Sequence, residues 1–192
     1  MTVSPDRPLG TEMPTVYQPA EDSRLLAETA VDRIAADEDV LEAGVGSGYV
    51  AAAVREETGA NVVGCDINPE ACRQTADRGI ETVRGNLLDP FAADGFDVVL
   101  FNPPYLPTPP EMEWDDPLEA ALSGGADGRR LIRPFLDDVG RVLREEGRVY
   151  LLVSSLTDID AVCDLAATAG FGSRECTEER FPFERLVVLE LL

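Results

Sequence analysis

The sequence predicts an α/β fold built on a mostly parallel sheet with helices on both faces, closed by an antiparallel hairpin. Three observations carry that prediction. Short apolar runs alternate with segments of helical spacing along most of the chain, the pattern of strand–helix–strand units. The first apolar run ends in the glycines Gly44, Gly46 and Gly48, as a strand does when it turns into a helix beside a ligand crevice. The tail, Phe171–Leu192, offers two strands around a turn at Pro182, which reads as a hairpin.

Taken in order, residues 1–18 read as an irregular lead-in, followed by helical spacing that puts Leu25, Leu26, Ala30 and Ile34 on one face. Asp39–Ala43 is the first strand and Tyr49–Glu57 the second helix. Asn61–Asp66 is the second strand, and Pro69 suits the first turn of the next helix. Glu81–Arg84 is a short third strand. Phe96–Phe101 is a fourth, nearly all apolar, as a strand buried on both faces should be. A long Pro-rich, acidic loop, Leu106–Ala126, precedes a helix over Arg129–Arg144 with Leu131, Phe135, Val139 and Val142 inward. A loop of that length inside a compact domain usually has a function or is disordered. Arg148–Val153 is the fifth strand, and Asp158–Ala169 is a helix that Gly170 can stop. Two strands in the tail bring the sheet to seven.

A chain of 192 residues suits one domain. No apolar run approaches the roughly 18 residues of a membrane span, and residues 1–12 lack the basic-then-apolar order of a signal peptide. A cytoplasmic protein is expected. Net charge is −21, from 16 basic residues, all of them Arg, and 37 acidic ones. Such a surface fits adaptation to high salt, where self-repulsion is screened, and argues against a grip on naked nucleic acid. The sequence holds no His, and Cys65, Cys72, Cys163 and Cys176 form no CxxC pair. A structural zinc site and a Ser-His or Cys-His nucleophile are thereby disfavoured, and no metal is expected.

The first strand runs into Glu42-Ala43-Gly44-Val45-Gly46-Ser47-Gly48. Glycines there let backbone approach a ligand closely, but dinucleotide enzymes use the same device. Two details favour S-adenosyl-L-methionine. Glu42 precedes the glycines, where a carboxylate can face a cationic amino and sulfonium end. The third glycine also comes one residue too early for the dinucleotide pattern. Asp66, ending the second strand, can accept both ribose hydroxyls. Asn86 and Leu87 follow the third strand and are candidates for the adenine amino group and face.

Asn102-Pro103-Pro104-Tyr105 closes the buried fourth strand. An amide or ring amino nitrogen has a delocalised lone pair and is a poor nucleophile. The Asn102 side-chain oxygen can accept one of its N–H groups and the Pro103 carbonyl the other, steering the lone pair toward a methyl donor. Two prolines stiffen the turn, and Tyr105 can cover a planar group face-on. Asn102, Pro103 and Tyr105 are therefore the catalytic and substrate-binding candidates.

With these residues in view, the chain resembles the HemK-type glutamine methyltransferases of peptide-chain release factors, in their short archaeal and eukaryotic branch. The resemblance runs from about Val16 onward. It rests on Val16-Tyr17-Gln18-Pro19-Ala20-Glu21-Asp22-Ser23, Leu41–Gly48, Cys65-Asp66-Ile67-Asn68-Pro69, Phe101–Tyr105 and Gly124-Gly125-Ala126-Asp127-Gly128. It implies a class I methyltransferase fold with a Rossmann-like sheet. It also implies that Tyr17, Pro19 and Ser23 close the cofactor pocket, that Glu42, Gly44, Gly46, Asp66, Ile67, Asn86, Leu87 and Asn102 contact the cofactor, and that Asn102 binds the substrate amide. Asn86 stands where the family usually has Asp, and Ser23 where Thr is common.

By the same resemblance, the substrate is the glutamine of a release factor's Gly-Gly-Gln motif, and the partner a small zinc-binding activator protein. The third strand, Ile80 to Gly85, is expected at a sheet edge that such a partner can extend. Other readings stay open: a nucleic-acid amino methyltransferase with the same tetrapeptide, a protein-lysine methyltransferase, and a silent subunit that only stabilises another.

Overall fold

The computed structural model describes residues 16–109 and 121–192. Residues 1–15 of the lead-in, and Glu111, Glu113, Asp115 and Asp116 of the acidic loop, lie outside the described residues. The chain order is α1 (Glu21–Val31), β1 (Asp39–Ala43), α2 (Tyr49–Thr58), β2 (Asn61–Asp66), α3 (Pro69–Asp77), β3 (Glu81–Arg84), β4 (Phe96–Phe101), α4 (Ile132–Val142), β5 (Leu143–Ser154), α5 (Ile159–Thr168), β6 (Ser173–Arg180) and β7 (Arg185–Leu191). The seven strands form one sheet in the order β3-β2-β1-β4-β5-β7-β6. β1 to β5 pair in parallel, whereas β7 runs antiparallel to both β5 and β6. This is the Rossmann-like methyltransferase sheet, with β3 at one edge as expected.

The strand period of two puts alternate residues on opposite faces, and here both faces are buried. Leu41, Val99, Leu151 and Leu189 face α4 and α5. Val40, Val98, Leu100, Leu152 and Val188 face α1 and α2. That two-sided burial explains why β4 reads as a continuous apolar run. α3 begins where the chain chemistry dictates: Asn68 caps it by accepting the Glu70 N–H at 2.9 Å, and Pro69 occupies the first turn.

Two elements differ from the sequence reading by more than a residue at an end. The helix expected over Arg129–Arg144 begins only at Ile132 and ends at Val142. Ahead of it the backbone folds back on itself, with Arg130 N–H donating to Gly124 O at 2.8 Å and Arg129 N–H to Asp127 Oδ1 at 3.0 Å. Leu131, expected inward, is partly buried against the core and also lines the ligand cleft. The fifth strand starts at Leu143 rather than Arg148, because a bulge with Glu146 at φ 67° separates its first contact with β4 from the regular ladder. Ile34 is buried as expected, although α1 ends before it.

Candidate active site

The parallel strands β1, β2 and β4 end on one side of the sheet, and the loops leaving them enclose a cleft. Its lining includes Tyr17, Ser23, Glu42, Gly44, Gly46, Asp66, Ile67, Asn86, Leu87 and Asn102. Of the sequence candidates for the cofactor, Pro19 alone is absent from the lining: it is exposed on the approach to α1. Ile67 is 65% exposed and forms part of the rim. Asn86 is exposed, its amide donating to Asp89 Oδ2 at 3.4 Å.

The charges of the cleft are arranged by backbone. Asp66 Oδ2 accepts the Gly46 N–H at 2.9 Å, and its Oδ1 accepts the Asn68 N–H at 2.8 Å. A carboxylate offers about four lone-pair positions, so two remain for a pair of vicinal hydroxyls. Glu42 is 3% exposed, and its Oε2 accepts the Ala51 N–H of α2 at 2.7 Å. Burial pushes the Glu42 carboxyl up to about 8, against the lowering effect of that N–H and with a further push from Asp66. A cation arriving beside it would restore the ionised form. A Cβ on Gly46, at φ 53°, would project into open space, its nearest heavy atom being 3.9 Å away. The glycine loop thus leaves a bare floor that a side chain would fill. These features fit S-adenosyl-L-methionine: a buried anion for its cationic end, free carboxylate acceptors for its ribose, and an apolar wall at Leu87.

A second, smaller pocket adjoins the first and shares Tyr17, Asn102 and Ala121 with it. It is otherwise lined by Asp22, Pro103, Tyr105, Leu106 and Leu122. Asn102 therefore stands between the two. Its Nδ2 makes a long contact, 3.5 Å, to Ser23 Oγ. Ser23 Oγ in turn donates to Asp22 Oδ1 at 3.2 Å, and the Ser23 N–H points to the same oxygen at 2.5 Å. Tyr17 OH completes the row on Asp22 Oδ2 at 3.3 Å. Because the serine proton is committed to the carboxylate, the serine oxygen must accept, and the nitrogen end of the Asn102 amide is the end it accepts from. The other end, Oδ1, is buried without a hydrogen-bond partner among the described residues. An orphaned buried acceptor of this kind costs stability and marks a place where a donor can enter.

Pro103 and Tyr105 line the smaller pocket, whereas Pro104 lines the larger cleft. Burial, with Asp22 and Glu184 nearby, raises the Tyr105 hydroxyl far above its ordinary value, so it remains a neutral ring with a donor O–H. Gly128 backs this residue. At φ 75°, a Cβ there would lie 2.5 Å from the Tyr105 carbonyl oxygen and 2.6 Å from Thr157, which gives the Gly124–Gly128 segment its physical reason. Sequence reasoning missed Asp22 and Leu131 as parts of the site. Asp22 lay inside the Val16–Ser23 segment, but nothing there signalled that one acid of many would be 4% exposed.

The comparisons agree with this geometry. Residues 40–121 match a family model described as a methyltransferase domain. A Methanocaldococcus jannaschii protein, named as a candidate protein N5-glutamine methyltransferase, is 36% identical over 182 residues, covering 92% of this chain and 91% of its own length. Human methyltransferase HEMK2 is 32% identical over 193 residues, covering 91% and 88% respectively. Among solved structures, a chain of the E. cuniculi Mtq2–Trm112 complex, described as responsible for methylating the eRF1 translation termination factor, superposes with a TM-score of 0.76. The identity is 29%, with 92% of this chain and 98% of that one covered.

Proposed function

This chain belongs to the HemK-type protein-glutamine methyltransferases, and on that premise we propose that it methylates the side-chain amide of the glutamine in a release factor's Gly-Gly-Gln motif. One observation carries the reading: Asn102 Oδ1 is a buried acceptor without a partner among the described residues, where the larger cleft and the smaller pocket meet. A primary amide brings two N–H groups in one plane. Asn102 Oδ1 would accept one and the Pro103 carbonyl the other, with Tyr105 against the planar face. Glu42, Asp66, the Gly44–Gly46 backbone and Leu87 would hold S-adenosyl-L-methionine. When bound, that molecule supplies an electrophilic methyl on a sulfonium.

The chain's own contribution is orientation and exclusion of water. Gripping both N–H groups would fix the amide plane, so that the nitrogen lone pair perpendicular to it points toward the methyl donor. The proton released after transfer can leave to water, since the methylated nitrogen is acidic and needs no strong base. The Ser23–Asp22 row keeps the Asn102 carbonyl, rather than its amino group, facing the acceptor.

Mass spectrometry of a release factor incubated with the chain and the methyl donor should show one added methyl on the Gly-Gly-Gln peptide, absent with Asn102→Ala. Methyl transfer to tRNA or DNA with none to the release factor would overturn the reading.

A small zinc-binding activator belongs to the same proposal. Its support is twofold: the structural relative was solved as a two-chain complex, and β3 is a four-residue edge strand with exposed Glu81 and Arg84. An extending strand would pair with the outward amides of β3. Hydrogen exchange should then show alternate amides within residues 80–85 gaining protection when the activator is added. Unchanged exchange there, with a complex nonetheless formed, would move the interface elsewhere.

A further inference from the structure

Single exposed apolar side chains are ordinary on a protein surface, but here their placement is one-sided. Apart from the C-terminal Leu192, the large apolar residues exposed among the described residues are Ile67, Leu106, Leu156 and Phe183. The first three lie in the loops leaving β2, β4 and β5. Phe183 occupies the β6–β7 turn at the same end of the sheet, because β7 begins beside the carboxyl end of β5, with Leu186 opposite Ser154. Ile67 belongs to the rim of the larger cleft, and the other three border the smaller pocket. Leu106, 38% exposed, lines it. Leu156, 43% exposed, sits in the single turn Ser155–Thr157 after β5, and Gly128 lies against both Thr157 and the Tyr105 carbonyl. The Phe183 turn is tied to that single turn by the Arg185 N–H, 2.9 Å from Ser155 Oγ. The end of β6, which leads into it, is tied to the first turn of α1 by Arg24 and Glu179 at 3.4 Å. From the same end of α1, Tyr17 and Asp22 line the smaller pocket.

We propose that Phe183, Leu156 and Leu106 form the docking surface for the acceptor protein, gripping the polypeptide around its Gly-Gly-Gln motif by apolar contact while the glutamine enters the smaller pocket. Phe183 is 94% exposed, yet its turn is rigidly held. Phe181 packs against the core, its N–H donates to the Glu184 carbonyl at 2.7 Å, and Ser154 Oγ donates to Glu184 Oε1 at 2.6 Å. Turn tips ordinarily carry Gly, Asn, Asp or Ser. A phenylalanine held out into water on a pinned turn is a preorganised anchor, which spends little entropy when a partner covers it. The occupant follows from continuity: Leu106 belongs both to the exposed surface and to the pocket that receives the glutamine, so the chain that delivers the glutamine passes over it. Phe183 and Leu156 also lie beyond the residues 40–121 that match the general methyltransferase domain, as features that select an acceptor rather than bind the shared donor should. The inference rests on the amide-methylation reading and adds how the acceptor is held.

The test uses the full chain, purified with any subunit that accompanies it, and the intact release factor as acceptor. Phe183→Ser should raise KM for the release factor about 10-fold or more, the scale of an aromatic anchor at an interface. The kcat at saturation should hold, as it does when uniform binding is removed. Leu156→Ser should act in the same direction. Melting temperature in Phe183→Ser and S-adenosyl-L-methionine affinity by calorimetry should not move, since the Phe183 side chain is exposed and lies outside the larger cleft. An unchanged KM, or a loss confined to kcat, would overturn the assignment. A second readout is independent of turnover. A photoreactive phenylalanine analogue in place of Phe183 should cross-link to the domain of the release factor that carries Gly-Gly-Gln. The same analogue in place of the exposed Asp37, ahead of β1 at the opposite end of the sheet, should not. Cross-linking from position 183 only to a second copy of the chain, or only to an accompanying subunit, would give the surface another occupant and overturn the proposal. If the unaltered protein leaves the release factor unmethylated, the substrate reading falls. If it methylates the factor and Phe183 is immaterial to KM, the docking surface falls alone.

Discussion

Asn102 and Glu42 are both polar groups held where water would stabilise them better, and each makes a prediction. Asn102→Ala removes the orphaned oxygen and should lower methyl transfer by about 10²- to 10³-fold, the usual effect of losing one oriented hydrogen-bonding group at a reacting centre. Cofactor affinity should fall far less, and folding stability should change little, since the long Asn102 Nδ2 contact to Ser23 is lost together with an oxygen that has no partner among the described residues. Rate assays beside thermal melts check both halves. Glu42 predicts pH dependence. Its carboxyl is raised to about 8 in the fold, so between the ordinary carboxylate range and pH 8 the folded chain holds a proton that the unfolded chain does not. Stability of the free protein therefore declines as pH rises through that window. A cationic ligand favours the ionised carboxylate, so affinity for S-adenosyl-L-methionine should climb toward pH 8 and level off above it. Calorimetry at pH 6 in buffers of different ionisation enthalpy should detect proton release on binding, and Glu42→Gln should abolish both the release and the slope.

Among elements, the segment Gly124–Arg130 shows how a loop can act as a buttress. Gly128→Ala would force a side chain against the Tyr105 carbonyl from a left-handed backbone. It should cost about 2 kcal/mol or more and should depress turnover beyond what the lost stability explains. Melting curves and kcat at a temperature where the variant is fully folded separate the two. The same segment marks where sequence reading stopped. β1, β2, β3 and β4 were legible to the residue because each is an apolar or β-branched run cut off by glycine, aspartate or proline. The start of α4 was not, because Arg129 and Arg130 carry ordinary helix propensity and the interactions that hold them out of the helix come from Gly124 and Asp127. Likewise Glu42, Asp66 and Asn102 were legible from their places at strand ends. Asp22 owes its role to burial and to hydrogen bonds from Tyr17 and Ser23, which no pattern singles out in a chain with 37 acidic residues to choose from. Pro19, carried by resemblance alone, sits outside the cleft.

Across the whole molecule, net charge of −21 sets the electrostatics. Arg144 bridges Asp39 and Asp97, Arg148 pairs with Glu38, and Arg174 with the buried Glu190, yet carboxylates outnumber guanidinium groups more than twofold. Salt screens repulsion and attraction alike, over about 10 Å at 0.1 M and about 3 Å at 1 M. With the excess so one-sided, the melting temperature should rise as potassium chloride is increased from 0.1 to 1 M. A fall would mean that the arginine pairs outweigh the crowd of unpaired acids. Last comes the order in which the sheet can close. β7 is the final strand along the chain but lies inside the sheet, between β5 and β6, so β5 keeps an open, apolar flank until residue 191 has been made. While the nascent polypeptide is still shorter than that, it presents a sticky border to its neighbours, and truncations within the last strand should be recovered as aggregates rather than as weakened enzymes.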